Sequence, residues 1–311
     1  MSQVLFEEIT YLSADAHTRV HGYIWEPKGI APRGIVQISH GMCEYAQRYD
    51  GVARAFCDAG FVFCGNDHLG HGQTAPDESA LGFTAPRGGA DFIVEDLHQM
   101  TALVRARYPD TPVILYGHSM GSFAARWYLT RYGEELAGAL ISGTAGPEVP
   151  AGLAKRLARV IAKTRGVRHR SSFISSLVFG NYNRKFKEEA HPHSWLSRSR
   201  EEQENYAGDP YCTFTFTAAG FDTLFTLLDT VSRKDWAANV PKTLPILVFS
   251  GDMDPVGNYG KGVRRVHERL LVAGCDSRLK LYAGGRHEMH NEVNRDEVLA
   301  DIIAFAKEVT Q

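Results

Sequence analysis

The chain has 311 residues, 44% hydrophobic and 23% charged, which suits one large core with a smaller appendage and excludes disordered and fibrous classes. Lysine and arginine number 34 against 36 aspartates and glutamates, a formal charge of −2, so any basic surface must be local and no global attraction to nucleic acid is expected. The five cysteines are odd in number and scattered without Cys-x-x-Cys spacing, which argues against a disulfide framework or zinc knuckle and for free thiols in a reducing compartment.

Along the chain, Met1–Ala14 carries Glu7 and Glu8 where a secretory signal needs a basic start and an apolar stretch, and no run of about eighteen apolar residues appears. A soluble, cytoplasmic protein is expected. Phe6–Leu12 and Val20–Glu26 read as two strands joined by the turn-rich Ser13–Arg19, an antiparallel hairpin at a sheet edge. After Pro32, short apolar runs at Gly34–Ser39, Phe61–Gly65, Pro112–Tyr116, Gly138–Ile141 and Leu244–Phe249 alternate with amphipathic segments. The helices fall near Ala46–Ala59, Gly89–Tyr108, Ser122–Tyr132, Gly260–Ala273 and Arg295–Val309. That rhythm predicts a parallel sheet with helices on both faces. It fails between about Gly146 and Ala219, where basic, aromatic and serine-rich segments follow one another. The expected organisation is an α/β core in residues 1–146 and 223–311, interrupted by a mostly helical cap in residues 147–222.

The strand Val113–Leu115 runs into Tyr116-Gly117-His118-Ser119-Met120-Gly121, followed by a helix-compatible stretch. A Gly-x-Ser-x-Gly turn at a strand-to-helix junction forces the serine into a strained conformation and presents its hydroxyl above the sheet. The helix that follows aims its positive end at an oxyanion. The motif alone is a weak signal; its placement makes Ser119 the candidate nucleophile. A serine hydroxyl needs a base, and in α/β-hydrolases the acid and then the histidine follow the serine on loops after late strands. Ser250-Gly251-Asp252-Met253-Asp254-Pro255 follows one late run, and Gly284-Gly285-Arg286-His287 follows the predicted strand Leu279–Tyr282. Asp254 is preferred to Asp252, which reads as a turn-former, and His287 leads among thirteen histidines with His290 as its rival. His40-Gly41-Met42-Cys43-Glu44 occupies the loop after the third strand, so the Met42 and Met120 amides are the expected oxyanion donors.

These residues resemble the monoglyceride lipase and lysophospholipase branch of the α/β-hydrolases, often described as serine aminopeptidase-like. The resemblance rests on His40–Tyr49, Asp67-His68-Leu69-Gly70-His71-Gly72, Gly117–Gly121, Gly251–Pro255 and Arg286–Glu292, in the right order through nearly the whole core. It implies an eight-stranded, mostly parallel sheet with a helical cap over an acyl-binding tunnel, and the same triad of Ser119, Asp254 and His287. In that branch the residues matching Glu44, Arg48 and His290 lie near a glycerol moiety. Tyr45 departs from the histidine often found at its position, and the cap matches only loosely, through Asp209-Pro210 and neighbouring aromatics.

The implied activity is hydrolysis of a small-molecule lipid ester through an acyl-enzyme, with monoacylglycerol first, and with neither cofactor nor metal. Lysophospholipid and small-ester hydrolysis, aminopeptidase action and a non-catalytic binding role remain as alternatives. A metal reading of His287, His290 and Glu292 lacks the His-Glu-x-x-His spacing. Within the cap, Ala151–Arg170 carries Lys155, Arg156, Arg159, Lys163, Arg165, Arg168 and Arg170 with no acid, while Leu153, Leu157, Val160 and Ile161 recur at helical spacing. Such a helix can dock peripherally on an anionic membrane, attract a phosphate-bearing lipid, or simply close over the core. Cys43 and Cys212 are candidates for thiol-reagent sensitivity.

Overall fold

Strands Gly34–Ser39 (β3), Phe61–Asn66 (β4), Val113–His118 (β5), Gly138–Ser142 (β6) and Ile246–Gly251 (β7) are buried at every position, as a parallel sheet covered on both faces requires. The computed structural model describes residues 4–147 and 150–311; Met1–Gln3, at the head of the segment read for a signal, and Glu148–Val149, in the expected cap, lie outside the described residues. With Val4–Leu12 (β1), Arg19–Pro27 (β2) and Ser277–Tyr282 (β8), the described residues form one eight-stranded sheet of order β1-β2-β4-β3-β5-β6-β7-β8. The hairpin β1–β2 closes one edge and meets β4 antiparallel; all other pairings are parallel. The run predicted from Leu244 becomes strand only at Ile246, because Pro245 has no N–H for the ladder and contributes only its carbonyl, to Ala139 N–H at 2.9 Å.

Helices Asp50–Asp58 (α1) and Arg295–Val309 (α9) cover one face of the sheet, and Gly89–Arg107 (α2), Met120–Tyr132 (α3) and Lys261–Val272 (α8) the other. In α9 the buried Val298, Ile302, Phe305 and Ala306 repeat at helical spacing, and Asp296 and Glu297 in the first turn complement the helix dipole. The first predicted helix opens instead as a 3₁₀ turn, Ala46–Tyr49, before α1 begins.

Between β6 and β7 the described residues form four α-helices, Ala151–Arg165 (α4), Ser172–Phe179 (α5), Arg200–Gly208 (α6) and Ala218–Ser232 (α7). The expected cap limit at residue 222 falls inside α7, one continuous helix whose apolar residues pack against α4, α3 and α2 alike. Ala151 and Ala158 are buried on α4. Lys155 pairs with Asp229, and Arg159 Nε reaches Asp222 at 2.8 Å, so two cations of the basic helix hold it to α7. Deeper in, Arg126 of α3 lies in the core with no carboxylate partner among the described residues, donating to Thr144 Oγ1 at 3.2 Å, to the Ala145 carbonyl at 3.1 Å and to the Val231 carbonyl at the end of α7. Its guanidinium rests 4.4 Å from the Trp236 ring centroid, and burial, with Arg269 nearby, pulls its pKa down to about 9.

Candidate active site

Ser119 occupies the turn between β5 and α3 at φ 51° and ψ −121°, a region that costs a non-glycine residue strain. The glycines on either side of it have no room for a side chain. A β-carbon at Gly121 would lie 1.9 Å from the Ser39 carbonyl oxygen, and one at Gly117 would lie 2.6 Å from the Ala125 β-carbon. The Ser119 N–H donates to the Ser142 carbonyl at 3.0 Å, which ties the turn to β6. Because Ser119 is the N-cap, α3 starts at Met120, two residues before the predicted Ser122.

Met42 and Met120 line the same cavity as Ser119, on the loop after β3 and at the first position of α3 respectively. The loop is held from two sides. Glu44 Oε1 accepts from the Gly41 N–H and from Tyr49 Oη at 3.0 Å. Asp67 accepts from the N–H groups of Ala46 at 2.9 Å and Gln73 at 2.8 Å and from Tyr23 Oη at 2.9 Å, so the Asp-His-Leu-Gly-His-Gly motif is a brace for this loop. His40, His68 and His71 form a buried cluster, with the His68 N–H donating to His40 Nε2 at 2.9 Å.

His287 Nδ1 lies 3.1 Å from both carboxylate oxygens of Asp254, which also accepts from Ser250 Oγ and the Val256 N–H at 2.8 Å. Burial opposes a charge on His287, but the fully buried Asp254 outweighs it, and its pKa is raised above the ordinary imidazole value. Asp252 instead accepts from the Gly284 N–H at 2.8 Å, pinning the start of the histidine loop. His290 stacks on Tyr49 at 4.6 Å, with both ring nitrogens unpartnered among the described residues, and burial depresses its pKa to about 4. Glu292, third in the metal reading, accepts from Arg198 Nε at 2.9 Å and the Arg286 N–H at 3.0 Å.

The cavity above the serine measures about 350 Å³. Phe123, Leu177, Phe179, Leu224, Phe225 and Leu228 are among its apolar walls, and Glu44, Glu288 and His287 stand with Ser119 at its polar end. Arg48 and His290 do not line it; they line a neighbouring polar cavity of about 480 Å³ with Glu202, Asn205, Asp209 and Asn291. Between the two, the buried Arg48 guanidinium grips both Glu288 oxygens and Glu44 Oε2, each at 3.1 Å. Burial pushes the Glu44 carboxyl up, whereas Arg48 holds Glu288 low despite the same burial.

Three neighbours of the site escape sequence reading. Glu288 is 240 positions from the arginine it pairs with, and its one signal is adjacency to His287. The His118 ring packs 4.8 Å from that of His287, and Trp195 of the insertion 5.1 Å from it. Cys43 and Cys212 are buried, and burial raises both thiols, which suits the commoner reading of a buried cysteine as an inert thiol rather than a reagent-sensitive one.

The family model described as serine aminopeptidase, S33, matches residues 30–294. The chain is 31% identical over 287 residues to the monoacylglycerol lipase of Mycolicibacterium smegmatis, covering 91% of this chain and 90% of that protein. It is 28% identical over 274 residues to the monoglyceride lipase of Homo sapiens, covering 86% and 80%. Among solved structures, a thermostable carboxyl esterase from Bacillus coagulans in complex with glycerol superposes with a TM-score of 0.92 at 32% identity, over 98% of this chain and 99% of that one.

Proposed function

Because the chain belongs to the serine aminopeptidase, S33, family of α/β-hydrolases, in the branch that holds the monoglyceride lipases, we propose that it hydrolyses a lipid carboxylic ester through Ser119, His287 and Asp254. The observation that carries this reading is the strained Ser119 opening into the same apolar cavity as His287, whose far nitrogen is held by a buried aspartate. His287 takes the Ser119 proton as the hydroxyl oxygen attacks the ester carbonyl, and Asp254 stabilises the resulting imidazolium. The Met42 and Met120 N–H groups bind the oxyanion. Collapse expels the alcohol with the proton from His287, and water repeats the cycle on the acyl-enzyme.

Monoacylglycerol is the favoured substrate. Its acyl chain suits the apolar walls, and its neutral glycerol meets the polar end formed by Glu44 and Glu288, with Arg48 and His290 behind. A lysophospholipid would bring its phosphate towards the ionised Glu288, whose cation Arg48 is already engaged by that carboxylate and by Glu44, an unfavourable contact. Residues 147–222 act as the cap over this cavity. Membrane contact fits its outer face: Leu153 and Val160 of α4 and Phe173 and Leu177 of α5 are exposed, Arg156 and Lys163 lie along α4, and Leu177 also lines the cavity. No helix among the described residues is long and apolar enough to cross a membrane.

The test is a panel on purified protein: monoacylglycerol, lysophosphatidylcholine, short nitrophenyl esters and aminoacyl amides. Monoacylglycerol should give the highest kcat/KM, and a fluorophosphonate should label the wild type but not Ser119→Ala. A wild type that stays unlabelled and inactive on every ester would sink the proposal.

A further inference from the structure

The stretch between α5 and α6, residues 180–199, is bonded to the histidine loop at many points. The Glu288 N–H donates to the Leu196 carbonyl at 2.7 Å, Ser197 Oγ to the Asn291 carbonyl at 2.7 Å, and the Arg198 N–H to Glu292 at 3.1 Å. From the other side, the Arg286 guanidinium donates to the Ser194 and Ser197 carbonyls and pairs with Glu189. Five residues around Trp195, namely Glu189, Ser194, Leu196, Ser197 and Arg198, are thereby fixed to the loop that carries His287. The Trp195 N–H is bonded to Asn183 Oδ1 at 2.9 Å, and its indole packs on Tyr182 at 4.9 Å. Phe179 packs on the same ring at 6.1 Å, and His287 lies against it at 5.1 Å between centroids and 37° between planes. Lys185, just after Tyr182, places its ammonium 3.5 Å from the Tyr259 ring on the loop of Asp254, so the same stretch roofs the acid as well.

On the hydrolase reading above, we propose that Trp195 is a positioning residue, whose indole face keeps the His287 imidazole on Asp254 and stabilises the imidazolium formed as Ser119 attacks. A flat π face within about 6 Å of a cation attracts it, more strongly where water is excluded. Neutral imidazole gains little from the same face, so the interaction appears mainly in the transition state and acts on kcat. A tryptophan that only walled the acyl chain would act on KM.

Trp195→Leu keeps the site apolar and removes the π face. It should lower kcat and kcat/KM together by about fivefold, with KM within about twofold of wild type, the range set by measured cation–π strengths. The acid limb of its pH profile should move to lower pH, since the imidazolium loses a partner. The charged and titratable groups around His287, namely Asp254, Glu44, Glu288, His118 and His290, with Arg48 behind them, are unchanged. Trp195→Phe should stay close to wild type. Site-specific incorporation of mono-, di- and trifluorotryptophan at 195 preserves shape while draining the ring's negative face, and should lower kcat stepwise even if the leucine variant folds poorly. Raised KM with unchanged kcat in Trp195→Leu, or a flat fluorination series, would overturn the proposal. Both outcomes are read on an active wild type, so they are distinct from failure of the hydrolase reading, in which the wild type itself does not turn over esters.

Discussion

Replacing Gly41 by alanine tests the loop proposed to bind the oxyanion while leaving Ser119, Asp254 and His287 unsubstituted. A β-carbon there would sit 2.9 Å from the Ser119 β-carbon and 2.5 Å from Glu44 Oε1. The glutamate oxygen is the softer obstacle, yet it is anchored by the Gly41 N–H, Tyr49 and Arg48, and the serine β-carbon belongs to a turn with no room to retreat. Relief therefore requires the Gly41–Met42 backbone to back away by about half an ångström to an ångström, from contact distance to the ordinary carbon–carbon separation. Misplacement on that scale costs on the order of 10²-fold, and loss of a whole oxyanion donor about 10²–10³ in kcat. The expected result is a kcat lowered about 100-fold, with KM changed by less than about threefold. Steady-state kinetics on a soluble nitrophenyl ester would measure it, normalised by fluorophosphonate titration of intact sites. Gly51→Ala is the control, because nothing lies within 4 Å of a β-carbon at that exposed position of α1. If Gly41→Ala retained kcat within about fivefold of wild type, the assignment of this loop to the oxyanion would be wrong.

His287 must be neutral to accept a proton, and its pKa lies above the free-imidazole value, so the acid limb of kcat/KM should fall above about pH 6.5. The same shift has the opposite sign for stability: a raised folded pKa contributes stability that is fully present below the unfolded value and is lost as pH rises through the folded one. The gap in melting temperature between wild type and His287→Gln should thus narrow with rising pH while activity climbs; a widening gap would contradict the Asp254 pairing. Arg126→Met should destabilise by about 2–4 kcal/mol, because three acceptors lose their donor while relief of a buried charge returns part of that cost. Unfolding at a fixed scan rate would register it, and an unchanged midpoint would argue against those bonds as load-carrying. On anionic vesicles the wild type should bind in a salt-sensitive way, and Leu153→Glu with Val160→Glu should bind more weakly, as measured by co-sedimentation; binding indifferent to both salt and the substitutions would remove the docking role of α4.

Strand runs such as Gly34–Ser39 and the helix Arg295–Val309 can be read from sequence because periodicity and burial are local properties. The Ser119 turn is readable for the same reason: two glycines and a strand-to-helix junction lie within six residues. Pairings that close over hundreds of residues are not. The Glu44–Arg48 contact is visible as an i,i+4 spacing, but nothing local marks Glu288 as the second partner of that arginine. Likewise, composition marks Ala151–Arg170 as basic, yet Lys155 and Arg159 find their acids on α7, more than sixty residues away. Trp195 is one aromatic among many in the insertion until the fold lays it beside His287.

The bonds between the stretch around Trp195 and the histidine loop bear on how this enzyme could be rebuilt. An exchange of insertions between relatives looks modular, since the segment enters after β6 and leaves before β7. The partners of Glu189, Ser197 and Arg198 nevertheless lie in Arg286, Asn291 and Glu292, close to the other end of the chain. A chimaera that imported residues 150–222 alone would separate each half of these pairs from its complement and loosen the loop that carries His287. Transplanting the two segments together would keep them matched, making residues 180–199 and 284–294 a single inheritable unit in any recombination library.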